Sequence, residues 1–135
     1  MHILLLRPDR TNEMTGKLTG NAIKLIEGKS FAFLATLLPD GSSHVAPVWV
    51  DREGDIILVN TAIGRVKQKN AERDRRVALS ITDQNNPYEK IIIRGRVVTQ
   101  ATEAADQHID KLAKKYTGAS KYKKLNPKER VILKI

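Results

Sequence analysis

Residues 60–70 read NTAIGRVKQKN and follow the apolar run DIILV. The segment closes a strand-like run, spends a glycine at position 64, and then sets Arg65, Lys67 and Lys69 within five positions. A helix start exposes unpaired backbone N–H groups and the positive end of the helix dipole, so it attracts phosphate or carboxylate. Arg adds a planar fork that matches phosphate oxygens, and Lys adds a point charge. Arg65 and Lys67 share a direction only in the turn before regular helix begins, because positions i and i+2 diverge on a helix. Asn60 and Thr61 end the strand and can donate side-chain hydrogen bonds into the same crevice. A solvated surface is the competing reading, since Arg65, Lys69 and Arg73 form an i, i+4 stripe of the kind that faces water.

Other chemistry is sparse. The chain has no cysteine, which excludes disulfides, thiolate-bound metals and thiol catalysis. His2, His44 and His108 are too scattered to suggest a metal site, and no metal is expected. His44 is expected on a wet, turn-side surface, and His108 on the solvent side of a helix. No carboxylate dyad, Ser-His-Asp set or glycine-rich nucleotide fingerprint is readable, so no catalytic acid, base or nucleophile is assigned. Tyr88, in NNPYE, lies in a loop, where a turn anchor and a substrate contact are equally open.

The 135 residues suit one domain with a real core, and 41% hydrophobic with 29% charged residues describe a globular chain. The start, MHILLLRPDR, has too short an apolar run for a signal peptide or a membrane span, and the lack of cysteine suits a cytoplasmic location. A net charge of +9 admits nucleic acid, an anionic surface or a phosphorylated small molecule as partner. Only six residues are aromatic, and none sits among basic residues in the pattern that stacks exposed bases, so a nucleic-acid partner is not expected.

These candidates must be held by a mainly β framework. Residues 1–20 read as an irregular arm broken by Pro8, Gly16 and Gly20. A short helix over 21–29 is capped by Asn21 and ended by Gly28. Strands follow at 30–38, 43–51, 56–62, 75–83, 90–101 and 130–135, with Gly95 at a bend in the long fifth run. Pro47 donates no ladder hydrogen bond and belongs at an edge or bulge. A helix over 64–74 interrupts the strands, and a longer one over 102–116 has Thr102 as its cap and Ala105, Ile109, Leu112 and Tyr116 as its buried stripe. Six or so antiparallel strands with two to three helices argue for a small barrel or rolled sheet. The runs at 30–38, 43–51 and 90–101 are apolar on both faces while helices are scarce, which predicts a symmetric dimer.

The series FLATLLPDGSSHVAPVWVDREGDIILVNTAIGRVKQKNAERDRRVALSITD, then NPYEKIIIRGRV and the HIDKLAKKYTG helix, resembles the pyridoxamine 5′-phosphate oxidase-like family of FMN-binding split β-barrels. More narrowly, it is similar to the branch classed with coenzyme F420-dependent oxidoreductases. The resemblance runs over 21–135 and leaves out the arm at 1–20. It implies a homodimer with two cofactor sites at the subunit interface and a small-molecule substrate. On this resemblance, Arg65, Lys67 and Thr61, with Asn60 beside them, hold the cofactor phosphate, while Pro47, Val48 and Trp49 lie along the ring. Trp49 stands equally well as core or dimer packing. Lys90 adds charge near the ring or the phosphate. F420 is the favoured cofactor and FMN the alternative.

The chain departs from the pyridoxamine phosphate oxidases themselves. VAPVW lacks their cation, Lys90 stands where they carry a glutamine, and their C-terminal substrate segment is missing after VILKI. An oxidoreductase that passes hydride between the ring cofactor and a small unsaturated substrate is therefore expected, not oxidation of pyridoxamine phosphate. A non-catalytic carrier or sensor of flavin, F420 or haem is the alternative, because a fold alone does not fix turnover.

Overall fold

The structure is a computed structural model that describes residues 2–5, 17–123 and 128–135. Among the described residues the chain order is β1 (His2–Leu5), α1 (Gly20–Glu27), β2 (Ala32–Leu37), β3 (Ser43–Val48), β4 (Val50–Glu53), β5 (Ile56–Ala62), α2 (Val66–Arg73), β6 (Arg76–Thr82), β7 (Lys90–Arg96), β8 (Thr99–Ala101), α3 (Ala105–Thr117) and β9 (Arg130–Lys134). The strands build two sheets, in the orders β1-β7-β6-β2-β3 and β4-β5-β9-β8. All pairings are antiparallel except β1 with β7.

Two expected strands each prove to be a pair. The run at 43–51 leaves one sheet at Trp49 and continues in the other as β4. The run at 90–101 breaks at Val97 and Val98, not at Gly95, which stays in register opposite Val77. There the Val97 N–H donates to Arg75 O at 2.8 Å and the Val98 N–H to Lys134 O at 2.7 Å, so neighbouring residues bond to different sheets. Pro47 lies in the edge strand β3, where its missing donor costs no ladder bond.

The start of the chain also differs from expectation. His2–Leu5 is a strand beside β7, so that part of the predicted arm is sheet edge, and residues 6–16 lie outside the described residues. Thr19, not Asn21, caps α1 by accepting from the Ala22 N–H at 3.2 Å. Thr102 does not cap α3. Its N-cap is Ala104 in a left-handed conformation, with φ at 60° and no side-chain cap.

The core lies between the sheets, where Leu34, Ile57, Val59, Leu79, Ile81, Ile91, Ile93 and Leu133 are fully buried. α3 packs outside β5 and β9, with Ala105 against Leu58 and Ile132. β2 is not buried on both faces in the single chain. Leu34 points inward, while Phe33 is 46% exposed and Val45, on the neighbouring strand, 59% exposed. The outer side of β7 carries exposed Arg94 and Arg96 beside half-buried Ile92, so only its inner face is buried throughout.

The end of α3 secures the first sheet switch. The Val50 N–H donates to the Tyr116 hydroxyl at 3.1 Å, and that hydroxyl donates to Ser30 O at 2.8 Å. Lys115 Nζ donates to Val50 O at 2.8 Å and also to Ile26 O. Burial pushes the Lys115 ammonium down to about 8, against the opposing pull of Asp51. The folded value lies below the ordinary 10.5, so between the two the unfolded chain holds a proton that the folded chain has released. Stability from this group should therefore rise as pH climbs through that window and level off on either side. Urea unfolding at pH 7, 8, 9 and 10 should show wild type gaining on Lys115→Met above pH 8. Parallel pH profiles would contradict it.

Candidate functional site

Where β5 ends, the chain turns through Gly64, whose φ of 92° suits glycine alone, and enters α2. The Gly64 N–H donates to Gln68 Oε1 at 2.8 Å, which ties the turn to the helix it precedes. Arg65 is the N-cap, with extended backbone at φ −68° and ψ 155°, and Lys67 lies in the first helical turn. This irregular step lets both cations line one cleft, as the spacing required. Farther along α2 the basic side chains separate: Lys69 is exposed, and Arg73 turns back to Leu37 O and Asn70 Oδ1.

The cleft has a volume of about 280 Å³. Seven predicted residues line it together: Pro47, Val48, Trp49, Asn60, Thr61, Arg65 and Lys67. Lys90, at the first position of β7, does not. Four further lining residues escaped the sequence reading: Phe31, Ile109, Tyr122 and Arg130. Arg130 opens β9 opposite Ala62, which brings it to the end of β5 beside Thr61. A cation at the head of an apolar strand was its only signal. Tyr122 sits in the basic loop, part of which lies outside the described residues.

One wall is aromatic. Trp49 stacks on Tyr116 with ring centroids 5.2 Å apart and planes 6° from parallel, and Phe31 stacks on the same tyrosine at 5.7 Å. Tyr122 meets Trp49 edge-on at 6.1 Å. Trp49 thus serves both packing and the cleft wall.

The other wall is cationic. Arg65, Lys67 and Arg130 line the cleft, and among the described residues no carboxylate does. Burial lowers the Lys67 ammonium from its ordinary value, and the charges of Arg65 and Arg130 lower it further. Burial also lowers Arg130, as does Arg65, with Tyr122 and Asp106 acting in the opposite direction. Thr61 is 2% exposed, and its hydroxyl has no partner among the described residues. An unsatisfied hydroxyl beside converging cations is the donor set that suits a phosphoryl group. A flat apolar group has the aromatic wall available to it.

Asn60 is engaged inside the protein. Its amide donates to Ala105 O at 2.8 Å and approaches His108 Nδ1 at 3.1 Å, while its carbonyl accepts from Arg130 Nε at 2.9 Å. His108 is therefore not solvent-facing as expected. Its side chain is 9% exposed, and Nε2 lies 3.2 Å from Asp51 Oδ2. Burial pushes the Asp51 carboxyl up, but the His108 hydrogen bond, the Arg52 N–H and Lys111 outweigh it and hold the group well below the usual carboxylate range. His44 is half-buried, and its Nδ1 is enclosed without a partner among the described residues, contrary to the wet surface expected. Tyr88 is exposed and away from the cleft. Among the described residues no cluster of His, Asp and Glu could hold a metal, and no helix is long and apolar enough to cross a membrane.

With the fold and the cleft defined, the family profile described as pyridoxamine 5′-phosphate oxidase matches residues 18–135. The chain belongs to this family. The two sheets, joined where strands switch between them, are its split β-barrel. An F420 reductase structure superposes with a TM-score of 0.73 at 26% identity, covering 82% of this chain and 88% of that one. A conserved Mycobacterium tuberculosis protein, Rv2991, superposes at 0.63 with 22% identity, covering 84% of this chain and 76% of that one. HupZ from Group A Streptococcus superposes at 0.61 with 18% identity, covering 85% and 86%. The last two likenesses speak to the fold alone. No curated protein sequence matches the chain.

The buried Thr61 hydroxyl bears directly on the stability of the ligand-free protein. Leaving a buried hydroxyl unpaired costs about 1–3 kcal/mol, whereas an apolar group of the same shape carries no such penalty. Thr61→Val should raise the stability of the ligand-free protein by about 1 kcal/mol in urea unfolding while weakening binding of a phosphate-bearing ligand. A destabilised variant with unchanged binding would show that the hydroxyl is satisfied within the fold.

Proposed function

We propose that the cleft binds the phosphate and ring of F420, or alternatively FMN, and that the protein is an oxidoreductase acting on a small unsaturated substrate. The observation that carries this reading is the meeting of Arg65, Lys67 and Arg130 around the unpartnered Thr61 hydroxyl, with Trp49 and Phe31 on the adjoining wall. The likeness to an F420 reductase favours the deazaflavin. When bound, such a cofactor supplies the hydride chemistry, so the protein need only bind, orient and shield it. That division of labour fits a cleft whose lining, among the described residues, holds cations, aromatics, aliphatics, Asn60 and Thr61 but no carboxylate or histidine. The departures at VAPVW and Lys90 argue against pyridoxamine phosphate as the substrate.

The same reading includes a homodimer. A cleft of about 280 Å³ is at or below the small end of ligand pockets, which span about 300–1,000 Å³. Beside it, Phe31, Phe33, Val45 and Pro47 form an exposed apolar stripe on β2, β3 and the residue before β2. Phe33 pairs directly with Pro47, so the stripe adjoins the cleft wall. A second copy covering it would bury the stripe and enlarge the site together.

Mass spectrometry of the co-purifying ligand, followed by titration with F420 and FMN, tests the cofactor assignment. Turnover of an unsaturated acceptor by the loaded protein tests the enzyme assignment, and binding without turnover would make the protein a carrier or sensor. Arg65→Ala should weaken cofactor binding by about 1.5–3 kcal/mol, the range for hydrogen bonds to charged groups. Unchanged affinity would return Arg65 to the solvated surface. Phe33→Glu should yield monomers in sedimentation and lose cofactor at the same step. A monomer that binds normally would refute the shared site.

A further inference from the structure

Behind the cationic wall lies a buried polar chain from Arg130 through Asn60 and His108 to Asp51, and its direction follows from donors and acceptors that have no choice. Arg130 Nε can only donate, so the Asn60 atom 2.9 Å away must be the carbonyl oxygen. Ala105 O can only accept, so the atom 2.8 Å from it must be the amide nitrogen. Both ends give the same orientation of Asn60. Its amide then also points a donor at His108 Nδ1, 3.1 Å away, which must accept. The ring proton therefore sits on Nε2 and is donated to Asp51 Oδ2 at 3.2 Å. Lys111 Nζ holds the same carboxylate oxygen at 3.1 Å.

We propose that His108 and Asp51 are positioning residues, which hold the Arg130 guanidinium in the cleft for an anionic ligand group by fixing Asn60. The proposal rests on the phosphate assignment above and adds to it the source of Arg130's preorganisation. A free arginine side chain gives up much rotamer freedom when it grips an anion. Here Asn60 takes Nε from one side, and the guanidinium carbon lies 5.1 Å from the centre of the Tyr122 ring on another. That freedom is surrendered in folding, before a ligand arrives. His108 contributes no atom to the cleft lining, and its effect must pass through Asn60 to Arg130.

The test compares ligands with and without the phosphate: FMN against riboflavin, and F420 against its phosphate-free deazariboflavin core. Wild type should favour the phosphorylated member of at least one pair. Loss of preference in wild type itself would overturn the phosphate assignment rather than the positioning chain. Given the preference, His108→Phe and His108→Gln should each lose about threefold to tenfold of affinity for the phosphorylated ligand, with the phosphate-free affinity nearly unchanged. In the Arg130→Met background the same changes should cost almost nothing further, because the group they position is gone. A merely structural histidine would weaken both members of the pair and add to Arg130→Met, which overturns the proposal. Should neither His108 variant fold, His108 belongs to the framework, and the proposal is equally overturned.

Discussion

Three cations brought to one end of a β-strand repel one another, and the fold accepts that repulsion where Arg65, Lys67 and Arg130 line one cleft. Arg65, Lys67 and Arg130 come from the turn before α2, the first turn of α2 and the head of β9, so no local sequence preference gathers them. Sheet register does it: Arg130 lies opposite Ala62, one residue past Thr61. Like charges in a partly desolvated cleft interact at a lower effective dielectric than in bulk water, so their cost is greatest where burial is greatest. Burial first, and the neighbouring cations after it, hold Lys67 and Arg130 below their ordinary values. On the proposed function an anion would offset that repulsion, and the Thr61 hydroxyl, unpartnered among the described residues, adds a second deficit at the same spot.

The opposite wall depends on a different constraint, the passage of a strand from one sheet to another. At Trp49 the chain leaves the β3 ladder and enters the β4 ladder, and a backbone that changes partners must find substitutes for lost hydrogen bonds. Tyr116 and Lys115 supply them at Val50 from the last turns of α3. The tyrosine that meets the Val50 N–H also carries Trp49 on its ring, so the residue that repairs the switch orients the aromatic wall. Helix α3 therefore serves the site twice. Its start backs Asn60 through Ala105 and His108, and its end backs Trp49 through Tyr116.

The cationic half of this arrangement was legible in the sequence because it is local. Gly64, Arg65 and Lys67 lie within four positions, and the rule that i and i+2 diverge on a regular helix places the helix start between them. Arg130 was not legible, since its place depends on which strand pairs with β5 and in what register. The two sheet switches were hidden for a related reason. VAPVWVD and IIIRGRVVTQA keep their apolar character across the break, and periodicity records burial without recording which sheet provides it. Gly95 attracted the predicted bend, yet it lies in regular pairing while two valines turn the corner. His108 was assigned to solvent by its polarity, although it is three positions after buried Ala105 and four before buried Leu112. That helical spacing places it on the inward face, and a buried acceptor and donor were waiting there.

The exposed stripe on β2 and β3 connects the two walls to the question of assembly. In SFAFLATLL the alternation is apolar on both phases, and the structure buries only one of them. Phe31 lies at the junction, since it stacks on Tyr116, lines the cleft and is 53% exposed. A partner subunit seated on Phe33 and Val45 would reach the cleft's open side by way of Phe31. Dimer formation and ligand binding would then draw on the same apolar area, and each would strengthen the other by linkage. On the proposed dimer, the second apolar phase of β2 would be the surface that the partner covers, and the site would be completed by doubling.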